Sequence, residues 1–175
     1  MLTEEYIGQL IKSLEDLGYF KFSKTEDLEE IKEDLWFGFK SGQFNPTLDE
    51  QFFSVGKEKR YFMVDHLSIT DKDFIPYFIE EIEPTLELLN IDLEDFTINS
   101  AKNYPSKLCA TIDKVNEILA DKNQDGEQFY IISKDDDLGI ILLTPAMQIL
   151  FETNFKDKND IPLDTQEWME FNFNK

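Results

Sequence analysis

Three side chains that carry much of protein chemistry are nearly missing from this chain of 175 residues, which has one cysteine (Cys109), one histidine (His66) and one arginine (Arg60). A lone cysteine excludes an internal disulfide, and with it the disulfide-stapled class of small secreted domains. One cysteine and one histidine also make a poor zinc set, because carboxylates would have to supply the other ligands. The seven glycines stand singly, so there is no glycine-rich loop to cradle a phosphate. No apolar run approaches the ~20 residues that cross a bilayer. Residues 1–17 alternate acidic and apolar side chains, unlike the basic and then continuously apolar regions of a signal peptide. Together these absences predict a cytoplasmic protein.

Positive charge is scarce as well. Seventeen basic residues face 37 acidic ones, for a formal net charge of −20. The imbalance peaks over residues 61–100, where ten carboxylates meet a single base, Lys72. A field of this sign repels nucleic acid and anionic membranes and attracts basic surfaces. Aromatic residues are not interleaved with basic ones, as they are in nucleic-acid binders. The expected partner is therefore a basic protein, not nucleic acid and not a membrane.

Apolar residues are plentiful, at 41% of the chain with 16 phenylalanines. That content excludes a disordered chain and allows a substantial core. The length predicts a single domain, 1–175, with an N-terminal helical pair at about 3–36 and an α+β remainder at about 60–170. The excess of lysine over arginine, with many Phe, Ile and Asn and few Ala, points to an AT-rich bacterial genome.

The first helix is marked by Ile7, Leu10, Ile11, Leu14 and Leu17 at helical spacing, with Thr3 to cap it and Gly18 to end it. Residues 19–22 read as a short connector. Ser23 and Glu26 have capping-box spacing for a second helix with the stripe Leu28, Ile31, Leu35 and an exposed face of Glu29, Glu30, Glu33 and Asp34. Residues 37–46 read as irregular chain, and 60–64 as a strand. Thr70 and Asp73 resemble a helix start, followed by Phe74, Ile75, Phe78, Ile79 and Ile82 on one face; Pro84 should kink or end that helix. Phe96 and Ile98 mark a short strand, and a further helix covers about 105–121. The runs 129–133 and 138–143, joined by Lys134, Asp135, Asp136 and Asp137, predict a β-hairpin at 129–143 with a loop of about four residues. Thr144 and Pro145 open a short helix to Phe151, and 164–169 reads as a last one. The fold class is α+β: several amphipathic helices with a small, largely antiparallel sheet.

Two motifs invite chemistry. Asp121, Asn123 and Asp125 with Gly126 match the first half of a calcium-binding EF-hand loop, whose alternate oxygens converge on one Ca2+. The second half fails, since Ile132 stands where a bidentate Glu belongs; the plain reading is a polar turn between helix and strand. Asp65 beside His66 suggests a base with its orienting acid, but no nucleophile pattern surrounds any Ser or Cys109. Such a histidine reads more simply as structural or exposed.

The acid itself then carries the functional reading. The helix near 71–89 combines an apolar face with Glu80, Glu81, Glu83 and Glu87 on the other, and Asp135, Asp136 and Asp137 form a second acidic knot at the hairpin tip. The leading expectation is a non-enzymatic protein that engages a basic partner through these carboxylates. In size, charge and expected location it is similar in character to small acidic bacterial inhibitors, such as the immunity proteins that block secreted nuclease toxins. Three alternatives stand beside it: a Ca2+-binding protein using Asp121, Asn123 and Asp125, an acidity that serves solubility alone, and an enzyme site assembled from distant residues. No other cofactor is indicated.

Overall fold

The computed structural model describes residues 2–42, 57–64, 74–93, 104–134, 137–159 and 161–173. Among them six α-helices surround a three-stranded antiparallel sheet, an α+β fold. The helices are α1 (Glu4–Asp16), α2 (Leu28–Ser41), α3 (Phe74–Leu88), α4 (Ser106–Lys122), α5 (Pro145–Asn154) and α6 (Thr165–Phe173). The strands are β1 (Tyr61–Met63), β2 (Gln128–Lys134) and β3 (Asp137–Leu143), in the order β1-β3-β2.

The ends of α1 follow directly from its sequence. Thr3 Oγ1 accepts from the Tyr6 N–H at 3.3 Å, and Gly18, at φ 80°, turns the chain out of the helix. The Tyr19 N–H then reaches Leu14 O and the Gly18 N–H reaches Glu15 O, both at 2.9 Å. Those are the two bonds of a Schellman stop. Residues 19–22, the short connector, form consecutive turns, closed by Lys21 N–H to Gly18 O at 3.1 Å. The capping box at Ser23 does not form either. A 3-10 turn at Thr25–Asp27 intervenes, α2 starts at Leu28, and the buried Ser23 hydroxyl has no hydrogen-bond partner among the described residues.

α2 also runs further than expected, to Ser41, with Gly42 as its left-handed cap. Asp34, expected on its outer face, is buried. The pair α1–α2 is antiparallel: Lys40 near the end of α2 meets Glu4 at the start of α1 at 2.9 Å, and Lys32 meets Glu15 at 2.9 Å. Ile7, Leu10 and Leu14 join Ile31, Leu35 and Phe39 in the core. Phe39 and Tyr19 both pack against Phe151 of α5, which ties the helical pair to the remainder of the chain.

β3 is buried on both faces, with Leu138, Ile140, Ile141, Leu142 and Leu143 each at most 5% exposed. This explains an apolar run without alternation. Lys134 pairs with Asp137, so the strands extend further toward the tip than the expected four-residue loop allows. Tyr61 lies diagonally across from Gly139 on the same face of β1 and β3. A Cβ at position 139 would fall inside the Tyr61 side chain, so glycine here makes room for the ring.

Pro84 does not end α3, which continues to Leu88. Phe74, Phe78, Ile82, Thr85 and Leu86 face inward, while Ile75 and Ile79 are only partly buried. The Thr85 hydroxyl donates to Lys59 O at 2.9 Å and anchors the helix to the turn before β1. No helix among the described residues is long and apolar enough to cross a membrane. Thr70, Asp71, Asp73, Asp65, His66, Phe96 and Ile98 lie outside the described residues.

Candidate functional site

α3 carries no basic residue between Phe74 and Leu88. Its helical spacing sends Glu80, Glu81, Glu83 and Glu87 to the exposed side while Phe78 and Ile82 enter the core. Tyr77 and Leu88 are half exposed, at 50% and 49%, and stand on the same side. Glu83 and Glu87, one turn apart, flank a 290 Å3 groove whose floor includes Leu86, Ile91 and Leu93. No described base lies within ion-pair distance of any of the four glutamates. Elsewhere lysines do meet carboxylates: Lys12 with Asp16 at 2.7 Å, Lys57 with Glu30 at 2.8 Å and Lys114 with Glu117 at 2.8 Å.

The second set of candidate residues lies in a different setting. Asp121 is exposed at the end of α4. Asn123 Oδ1 accepts from the Asp125 N–H at 3.0 Å, forming an Asx turn. Asp125 accepts from Lys21 Nζ at 2.8 Å, and this lysine holds the Asp125 carboxyl below its usual range. The charge of this loop is thus met by an ammonium group of the same chain. No group of three His, Cys, Asp or Glu side chains gathers at metal-binding spacing among the described residues.

Lys21 also leads to the feature that sequence reasoning missed. The same ammonium donates to Glu127 Oε2 at 2.8 Å, and Glu127 Oε1 accepts from Arg60 at 2.9 Å. Both the Arg60 and the Glu127 side chains are 0% exposed. Arg60 donates further to Tyr19 O at 2.5 Å, Leu142 O at 2.8 Å and Gly18 O at 3.0 Å. One guanidinium therefore joins the stop of α1, the central strand and the start of β2. Burial lowers the Arg60 pKa and the Glu127 carboxylate opposes that shift. Burial first, and then the nearby carboxylate of Glu58, raise the Tyr19 hydroxyl. The signal available in the sequence was the arginine itself, a single one among many lysines. Four bonds from one head group exceed the three donors of an ammonium.

The acidic tip is only partly visible. Asp137 begins β3 opposite Lys134, whereas Asp135 and Asp136 lie outside the described residues. Cys109 is buried, and its thiol is pushed up to about 12 by burial and by Asp113. That removes it from ready nucleophilic chemistry. The structure thus brings Glu80, Glu81, Glu83 and Glu87 together on one face. Asn123 and Asp125 are gathered instead into a turn held by Lys21.

Comparison with known families, curated proteins and solved structures finds no match for this chain.

Proposed function

We propose that this is a non-enzymatic binding protein whose α3 face docks a basic protein. The observation that carries the reading is the contrast in neutralisation. Lysines of the chain meet carboxylates on α1, α2 and α4 and in the 123–127 loop, but none described reaches Glu80, Glu81, Glu83 or Glu87. Tyr77 and Leu88 beside them add apolar area of the kind that anchors interfaces. Such a face attracts a cationic surface from a distance, accelerates encounter, and loses that advantage as salt shortens the screening length to ~8 Å. The concrete version of this reading is inhibition of a secreted toxin, in which carboxylates occupy a basic active site.

The test is retention of a basic protein from the source cell on the immobilised chain. The bait is compared with its E80K/E81K/E83K/E87K variant at low and high salt. The expected result is one basic protein held at low salt, shed at high salt and absent from the variant. Equal retention by the variant removes α3 from the account.

A further inference from the structure

The outer edge of β2 has a second feature. In this strand the odd-numbered residues turn their backbone groups away from β3. The Ile131 N–H and C=O pair with Leu163 at 2.8 and 2.9 Å. One step along, where a neighbouring strand continuing past Leu163 would face Phe129, the chain has turned away into α6. The side-chain amide of Asn116, from α4, takes that place. Asn116 Oδ1 accepts from the Phe129 N–H at 2.7 Å, and Asn116 Nδ2 donates to Phe129 O at 2.9 Å. An amide that satisfies both backbone groups of one strand residue reproduces the pairing of a neighbouring peptide unit.

A groove of about 510 Å3 opens at this point between α4, β2 and the start of α6. Two carboxylates without an ion pair among the described residues, Asp113 and Asp164, are exposed on its rim, which Gln128 and Thr165 also line, beside Glu117, which Lys114 meets at 2.8 Å. Thr165 Oγ1 donates to Asp113 Oδ1 at 2.6 Å across the cleft. Asn116 is only partly buried. A backbone entering the groove would return to Phe129 the two bonds that Asn116 gives up.

We propose that this groove is a docking site for an extended, lysine- or arginine-bearing peptide segment, which adds to the edge of β2 by displacing the Asn116 amide. The strand edge supplies main-chain bonds and the carboxylates on the rim select for positive side chains. The α3 face plays no part, so each proposal can fail without the other.

A net charge of −20 attracts any cationic peptide, and the test must separate strand pairing from charge. The probe is an alternating Lys-Val hexapeptide, compared with a twin of the same sequence N-methylated at every residue. The twin keeps the charge but has no backbone donor on either edge. Wild type should bind the unmodified peptide at least about tenfold more tightly, and E80K/E81K/E83K/E87K should keep that preference. D113K should weaken binding of the unmodified peptide. In Asn116→Ala the Phe129 amide should exchange faster with solvent, and the peptide should restore its protection. Equal binding of the two peptides to wild type overturns the proposal even if Asn116→Ala does not fold. So does a Phe129 amide that stays unprotected in the peptide complex of a folded Asn116→Ala.

Discussion

Around Arg60 a cation with no exposure is met by one carboxylate and three carbonyls, whereas along α3 four carboxylates stand exposed with no described base in reach. The first arrangement costs desolvation and is tolerated because each of the three guanidinium nitrogens has a fixed acceptor. The second costs little to keep in water, and its charge stays available to something outside the chain. Charge of the first kind holds segments together; charge of the second kind is free to act between molecules. A net charge does not separate the two, because burial and the identity of the neighbours decide which kind each residue is.

The largest test of this contrast is Arg60→Met. It leaves Glu127 with Lys21 as its only cation among the described residues and removes the guanidinium bonds to Tyr19 O and Leu142 O, so unfolding free energy should fall by about 3 kcal/mol, read from urea denaturation. Arg60→Lys should recover only part of that loss, because an ammonium cannot span the four acceptors. Full recovery by lysine would show that charge alone matters there. On the other side of the comparison, converting Glu80, Glu81, Glu83 and Glu87 to Gln should leave the fold within about 0.5 kcal/mol per site. The sign should be stabilising, since Glu80–Glu83 (i,i+3) and Glu83–Glu87 (i,i+4) repel along one helix face. The same variant should lose most of the salt dependence of partner retention. A large loss of stability would mean that α3 carboxylates support the fold after all.

The smallest effect is expected at Asp125, where the two kinds of charge meet. Lys21 lowers its pKa from the ordinary 3.8. A carboxyl with a lowered folded pKa adds stability above its unfolded value, and that stability is lost as pH falls through the folded value. Wild type and Asp125→Asn should therefore differ in thermal stability above about pH 4 and converge below it. Exposure of Asp125 keeps the difference small, and curves that run parallel into acid would remove Lys21–Asp125 from the stabilising set.

Much of the fold was legible because it depends on local chemistry. Thr3, Gly18, Thr144 and the apolar spacing of Ile7, Leu10 and Leu14 in α1 act within a few residues, and each behaves as its sequence indicates. The misreadings arose where distant contacts override local preference. Asp34, expected on the outer face of α2, is buried, and α2 runs on to Ser41 through residues that read as irregular chain. The acidic stripe of α3 could be read because helical spacing alone sorts its residues. The Arg60–Glu127 pair spans 67 positions, and the Asn116–Phe129 pairing depends on where α4 lies against a sheet edge. No periodicity encodes either one. The hint was a lone arginine in the one basic patch, Lys57, Lys59 and Arg60, which reads as an internal or dimer contact but names no partner residue.

Tyr61 and Gly139 carry a consequence for how this chain can change over generations. The ring occupies the space that a side chain at 139 would need, so the two positions do not vary independently. A mutation at 139 that adds a side chain meets resistance while Tyr61 remains, and becomes tolerable once a smaller residue has replaced it. A side chain at 139 therefore requires either that the Tyr61 ring move or that a smaller residue stand at 61, and a library that randomises both sites together should recover larger residues at 139 paired with smaller ones at 61.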